Sequence, residues 1–388
     1  MTLLAAVGQA RTIDGRETGL QATHAALNAL GSAAPVFGIV ITSYQYDAQQ
    51  VINGVASLTG NMPLIGFSTP AGMTVEGVHP HSVVVALLSN PDVRVEVQWL
   101  AGYTQGSREV SQQLIEILQR RPKTPTLIFA DGFNADAEQL CATLPAGVNL
   151  MGALSSGDLH TGNAYQIGGT QSGAGGLALA RLEGQIKVGV GYGHGWQPVG
   201  THFRVTRSRG FWVRTLDGRP ASESYARLFG YPAREWAFPP LNHLARIYPL
   251  GMEQLDKSLV LRSPLRIEAD GSFRMNATVV DGSEAYLLTG SLSSCQAAAK
   301  DAARKALDAL DGARPVLALV LTDIAWQMLF EAQPGADIAA VHEALGPDVQ
   351  IAGGYTLGQI VPGGDALPQF LNQHMMVMVF GEPEEKEK

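Results

Sequence analysis

Two cysteines in 388 residues are too few for a disulfide framework or a cysteine-rich zinc site. Cys141 and Cys295 fit small buried apolar residues in a reducing compartment instead. Positive charge is scarce too. Twenty-seven Lys and Arg face thirty-five Asp and Glu, giving a net charge of −8. No Lys/Arg run reaches motif length, which argues against a nucleic-acid groove. Long apolar runs are missing as well. The longest, 36–41, 316–321 and 375–380, fall far short of the roughly 18 residues of a membrane span. The first eight residues lack a basic segment and the chain turns polar at Gln9, so no secretory leader is expected. The expectation is a soluble cytoplasmic protein whose 382–388 end is frayed. A composition of 46% apolar and 16% charged residues can bury large cores and excludes disorder over most of the chain.

What is present is repetition. Pro63-Leu-Ile-Gly-Phe-Ser-Thr-Pro-Ala-Gly72, Asn149-Leu-Met-Gly-Ala-Leu-Ser-Ser-Gly157 and Gln350-Ile-Ala-Gly-Gly-Tyr-Thr-Leu-Gly358 are each a short apolar strand running into a turn of small residues. Before each lies another apolar strand, at 36–41, 126–130 and 316–321, and before that a helix-period stretch, at 19–30, 108–120 and 294–310. A second helical stretch separates the two strands and begins at Asp47, Asp136 or Asp337, each a good N-cap. One strand follows each turn, at 82–88, 176–182 and 374–380, and one precedes each unit, at 3–8, 93–99 and 285–290. The fold expected is therefore α/β, with strand-helix-strand-helix-strand-strand units at about 1–90, 91–187 and 284–381 forming layered sheets covered by helices. Between the second and third units, an inserted α+β region is expected at about 188–283. It is rich in aromatics, Gly and Pro and holds three of the five tryptophans. Such an insert suits a ligand pocket or an ordinary linking subdomain.

The strong enzyme motifs are absent. There is no Gly-x4-Gly-Lys-Ser/Thr, no His-Glu-x-x-His and no Cys-x-x-Cys-His. The alternating glycines 189, 191, 193 and 195 lead into no helix, so they read as a glycine-rich strand rather than a dinucleotide loop. Ser68 lacks the closing glycine of a nucleophile elbow. Ser155 or Ser156, near Asp158 and His160, leaves a serine hydrolase as an alternative. Glu76, His79 and His81 could hold a metal from one loop, although His-x-His on a polar loop is more often solvated. Among the nine histidines, His243 stands out. It lies amid apolar and aromatic residues with no carboxylate close in sequence, which suits a haem-iron ligand better than a general base. Its local sequence by itself fits a hydrogen-bonded core histidine better still. His194, beside Trp196, is the second candidate.

In this order, several short stretches resemble the FIST sensory proteins, which pair a FIST N and a FIST C domain. They are Ile65–Gly72, Gly195-Trp-Gln-Pro-Val-Gly200, Leu216-Asp-Gly-Arg-Pro-Ala221, Tyr248-Pro-Leu-Gly251, Leu261-Arg-Ser-Pro264 and Gly353–Gly358. The resemblance places FIST N at 1–219 and FIST C at 220–388. Two positions depart from it: Asp323-Ile-Ala-Trp326 stands where Cys and Arg are common, and Gln359 where Glu is. The resemblance implies sensing, not catalysis. A subgroup, the NosP proteins, binds haem through a histidine and responds to nitric oxide. By resemblance this chain would bind haem b non-covalently, with His243 as axial ligand. It would then regulate a separate sensor histidine kinase or cyclic-di-GMP enzyme. A FIST sensor for an organic ligand such as an amino acid is the alternative.

Overall fold

The computed structural model describes residues 2–238, 241–254 and 257–384. Pro239 and Pro240, which precede the His243 segment, and the last four residues of the expected frayed end lie outside them.

The three units are present as three mixed sheets. In the first, the strands run in the order Leu4–Ala10, Val83–Ser89, Phe37–Ser43, Leu64–Thr69. The second runs Val93–Leu100, Leu177–Gly184, Thr126–Ala130, Leu150–Leu154. The third runs Lys187–Gly193, Met375–Glu382, Arg314–Asp323, Gln350–Thr356. In each, the last two strands are parallel and the remaining pairs antiparallel. Val40, Ile128 and Val320 stand opposite Gly66, Gly152 and Gly353, so the repeated glycines hold one position in all three sheets. A Cβ on any of them would lie 1.8–2.3 Å from the facing carbonyl oxygen, which is why each copy keeps glycine there.

The third unit does not begin where the sequence pattern suggested. Its edge strand is Lys187–Gly193, ahead of the insert, and Glu284–Gly290 belongs to the insert's own sheet. The insert is thus 194–290 rather than 188–283. The alternating glycines now have a cause. The helix Leu292–Asp308 lies across this strand, and a Cβ at Gly189 or Gly191 would meet the carbonyl of Ala306 or Ala302 at 2.1 or 2.0 Å. Asp47 and Asp136 cap their helices as expected. In the third unit Gly335 takes the cap, and Asp337 falls inside the first turn, buried.

The units exchange strands. After its turn, each sends a hairpin to a neighbour. Ala71–Thr74 of the first pairs with Gln350–Thr356 of the third. Gln359–Val361 of the third pairs with Leu150–Leu154 of the second, and Gln166–Gly168 of the second pairs with Leu64–Thr69 of the first. The three small-residue turns consequently meet. Ser68 Oγ donates to Ser156 O, Ser156 Oγ to Tyr355 O, and Thr69 Oγ1 both donates to Tyr355 O and accepts from Tyr355 N. Small hydroxyl residues fit because each must satisfy a buried main-chain group at close range.

The insert folds around its own core. An eight-stranded sheet packs on the helices Ala221–Phe229 and Leu241–Ile247. Tyr225 meets Trp236 and Phe273 edge-on at 5.5 and 4.8 Å. The hairpin expected around Asp270 forms between Pro264–Ile267 and Phe273–Met275. The expected strand 258–267 is split at Ser263, and its first part, Leu259–Arg262, pairs with Leu250–Glu253.

Candidate functional site

In an α/β sheet, ligands gather beyond the carboxyl ends of the parallel strands. There, Ser43, Asp131 and Asp323 occupy one register position in the three units, three residues past Val40, Ile128 and Val320. Asp131 is fully used by main-chain donors. Its carboxylate accepts from Phe133 N at 3.0 Å, Asn134 N at 2.8 Å and Gly175 N at 3.2 Å. Asp323 accepts from Ala325 N at 3.0 Å and Gln373 N at 3.1 Å. The insert reaches the strand ends at both aspartates: beside Asp131 its Arg274 donates to Phe133 O at 3.1 Å, and over Asp323 it brings Arg246 and Ser263.

Arg246 is 2% exposed. Its Nη2 donates to Leu265 O at 3.0 Å, and its Nη1 has no partner within the protein. Burial holds the guanidinium down to about 10 against the opposing pull of the Asp323 charge. Burial likewise pushes the Asp323 carboxyl up, opposed by Arg246 and by the two N–H donors. The two side chains feel each other's charge without forming a direct ion pair among the described residues.

Gln373 ties the site together. Its side-chain amide donates to Arg246 O at 3.0 Å and Ser263 Oγ at 2.8 Å, and its main-chain carbonyl accepts from Trp326 Nε1 at 2.9 Å. Its φ of 63° is left-handed, a conformation costly for a residue with a side chain and held only when the surroundings demand it. His374 follows. Its Nδ1 donates to Asn372 O at 2.6 Å, and its ring meets His194 edge-on at 4.8 Å. Gln373 Oε1, both polar atoms of the Asn372 amide and His194 Nδ1 are buried without a protein partner.

The two candidate histidines sit differently. His194 is half-buried at this network, its imidazole pulled below the usual range by desolvation. His243 is exposed on the helix Leu241–Ile247, which also carries Arg246 inward. Partial desolvation, then the Arg246 charge, keeps the His243 imidazole neutral at lower pH, with Glu331 opposing. It is therefore a surface imidazole and not a hydrogen-bonded core one.

The remaining candidates are structural. Ser155 Oγ donates to Ala130 O and accepts from Gln166, and the Ser68 and Ser156 hydroxyls donate to carbonyls, so none is paired with a histidine. His160 is exposed, its main-chain N–H held by Asp158. His79 Nε2 bonds Thr74 Oγ1 at 2.8 Å, and His81 packs edge-on against Tyr46. Among the described residues no group of three or more His, Cys, Asp or Glu side chains is placed to hold a metal ion.

Sequence reasoning singled out Asp323 and Gln359 only as departures, and missed Arg246, Ser263 and Gln373. Gln359 is buried near the same strand ends, its amide donating to Thr356 Oγ1 at 2.9 Å. A signal for Arg246 existed. A lone charge inside Leu244-Ala245-Arg246-Ile247 points to a buried, compensated cation.

Residues 36–219 match the FIST N domain and residues 221–362 the FIST C domain. The chain belongs to the FIST family. Its role is accordingly sensory, in signal transduction, and domains of this family are in general ligand-binding modules rather than catalysts. Over 77 residues it is also 31% identical to an uncharacterized protein of Methanocaldococcus jannaschii. That stretch covers 20% of this chain and 14% of the archaeal one. The structure of PurLQS from Thermotoga maritima is 12% identical and superposes with a TM-score of 0.22 over 98% of this chain and 72% of that one, too low to bear on the fold. The two FIST matches meet inside the insert, so the third unit of this FIST protein draws its edge strand Lys187–Gly193 from the first match and Arg314–Asp323 and Gln350–Thr356 from the second, while Met375–Glu382 lies beyond both. Among its described residues no helix is long and apolar enough to cross a membrane.

The site gives the FIST fold an acid-labile group. Burial, reinforced by His194, lowers the His374 imidazole from 6.5 to about 3. A base whose folded value is depressed contributes stability that is complete above pH 6.5 and lost as the pH falls toward 3. Urea midpoints should therefore fall over that window by up to about 5 kcal/mol in equivalent stability. The His374→Phe variant should flatten the fall; an unchanged slope would remove His374 from the account.

Proposed function

We propose that this FIST protein is a haem-binding nitric-oxide sensor with His243 as axial ligand. In this reading it acts in the cytoplasm on a separate sensor histidine kinase or cyclic-di-GMP enzyme. Its sensory domains span 1–219 and 220–388. The donor chemistry fits. One neutral, solvent-accessible imidazole is what non-covalent haem needs on its proximal side, and Phe238, 66% exposed just upstream, adds apolar surface. When bound, haem supplies an iron centre for a small uncharged gas.

The observation that carries the reading is the helix Leu241–Ile247. It bears His243 outward and, three residues later, Arg246 inward to the strand-end network. A change of pull on His243 displaces Arg246, whose main-chain carbonyl holds Gln373 and whose guanidinium holds Leu265 O. The chain thus has a lever from surface to core. Signalling requires that the ligand bind two such arrangements unequally, by about 1–3 kcal/mol in typical couplings.

Reconstituted with haem, the full chain should show a Soret band that shifts with nitric oxide. His243→Ala should lose most of it while circular dichroism stays unchanged. A wild-type spectrum in His243→Ala together with its loss in His194→Ala would move the ligand to His194. Retention in both would end the reading.

A sensor for an organic ligand such as an amino acid is the second reading. It is favoured by the unpartnered Arg246 Nη1 near the Asp323 carboxylate, a cation and an anion that do not neutralise each other directly. Calorimetric titration with amino acids, on wild type and Arg246→Lys, tests it.

A further inference from the structure

Charge is unevenly spread along the chain. Residues 194–290 hold twelve Lys and Arg against nine Asp and Glu, while the rest hold fifteen against twenty-six. Much of that positive share lies on one face of the insert's sheet. Phe203, Val205 and Val213 turn into the core, so strand alternation sends Arg204, Thr206 and Arg214 outward. The Thr206 and Thr215 hydroxyls meet on this face at 2.8 Å. Cross-strand register continues the row: Arg209 stands opposite Trp212, Trp212 opposite Arg274, and Arg274 opposite Arg266. Arg207 is exposed at the bulge between them. The Trp212 ring is 38% exposed, with the Arg274 guanidinium carbon 5.6 Å from its centroid.

Four acidic residues on or beside this sheet are engaged locally. Asp217 accepts from Arg204 N at 2.8 Å and Asp281 from Ser208 N at 3.2 Å. Asp270, which lies near Arg214, holds Ser272 through both its N–H and its hydroxyl. Glu268 pairs with Arg266 at 2.7 Å. Arg204, Arg207, Arg209 and Arg214 form no ion pair among the described residues. Four exposed arginines thus share one face of the sheet; Glu284 stands opposite Arg204 and Asp270 lies near Arg214, and neither carboxylate forms an ion pair with them among the described residues.

We propose that this face docks an acidic segment of a partner protein. Carboxylate side chains match a guanidinium row through bidentate, charge-assisted hydrogen bonds. A nucleic acid fits less well. The patch is local, the rest of the chain is strongly acidic, and screening over about 8 Å lets only a short anionic segment feel the patch alone. Its exposed aromatic is already covered by Arg274, leaving no row of rings on which bases could stack. The proposal holds whichever ligand the sensor takes, because it uses none of the residues around His243 or Asp323.

The test uses the full chain and fluorescence anisotropy with a labelled polyglutamate peptide. An oligothymidylate of equal length and phosphatidylserine vesicles serve as rivals. Saturable peptide binding is expected, weakening as salt rises from about 50 to about 300 mM. The triple variant Arg207→Glu, Arg209→Glu, Arg214→Glu should bind at least about tenfold more weakly with an unchanged circular dichroism spectrum. The matching triple Lys variant should keep most of the affinity, and Arg11→Glu with Arg16→Glu, in the first unit, should change nothing. Absence of binding by wild type, no loss on charge reversal, or tighter binding of the oligonucleotide or the vesicles than of polyglutamate would each overturn the proposal.

Discussion

Replacing Asp323 with alanine should lower the urea midpoint by the equivalent of about 3–5 kcal/mol, the usual cost of stranding one charge of a buried pair. Three losses coincide. Arg246, fully buried, keeps its charge without the carboxylate that offsets it. The N–H of Ala325 loses its acceptor at the start of the helix Ile324–Leu329. The N–H of Gln373, already in a left-handed conformation, loses its acceptor too. The double variant Asp323→Ala, Arg246→Met should recover a large part of the loss, since two apolar groups strand no charge. A single-variant cost below about 1 kcal/mol would mean that the carboxylate does not compensate Arg246.

Gly191→Val should cost about 3 kcal/mol or leave too little folded protein to measure. A Cβ at this position lies 2.0 Å from Ala302 O and 2.6 Å from Ala306 N, both backbone atoms of the helix Leu292–Asp308. No rotamer change relieves such a clash. The helix must lift from the strand, opening the contacts of Ala299, Ala302, Ala303 and Ala306, all fully buried. Gly173→Ala is the control, because a Cβ there meets only the edge of Trp99 at 3.7 Å. Equal midpoints for the two variants in urea would show that the helix is not held by close approach.

The three units were legible because each carries its own local signals: two apolar strands, a glycine in a fixed place and a turn of hydroxyl residues. The start of the third was not. Lys187–Gly193 reads as a glycine-rich strand, with Val188, Val190 and Tyr192 alternating with glycines that admit a helix, but the insert separates it from the other strands of its sheet, so nothing local shows where it pairs. Glu284–Gly290, with its normal strand composition, drew the assignment instead. The exchange of hairpins leaves no local trace, since pairing partners are chosen by the tertiary fold. At the site, attention fell on His243 because histidine is conspicuous in an apolar stretch, yet the residue that enters the core from that helix is Arg246. Gln373 could not have been singled out. Its importance lies in its φ and in partners as far away as Ser263 and Arg246.

The circular exchange of hairpins has a consequence for biosynthesis. When the ribosome has released only the first 219 residues, Ala71–Thr74 is made but its acceptor, Gln350–Thr356, is not. The acceptor strand Leu150–Leu154 likewise waits for Gln359–Val361. The nascent chain therefore carries one orphan donor edge and one orphan acceptor edge until residues 350–361 have been made. Unpaired edges are templates for a second copy. Late closure of the ring makes chains stalled or truncated before about residue 360 the species most prone to cross-pair into oligomers.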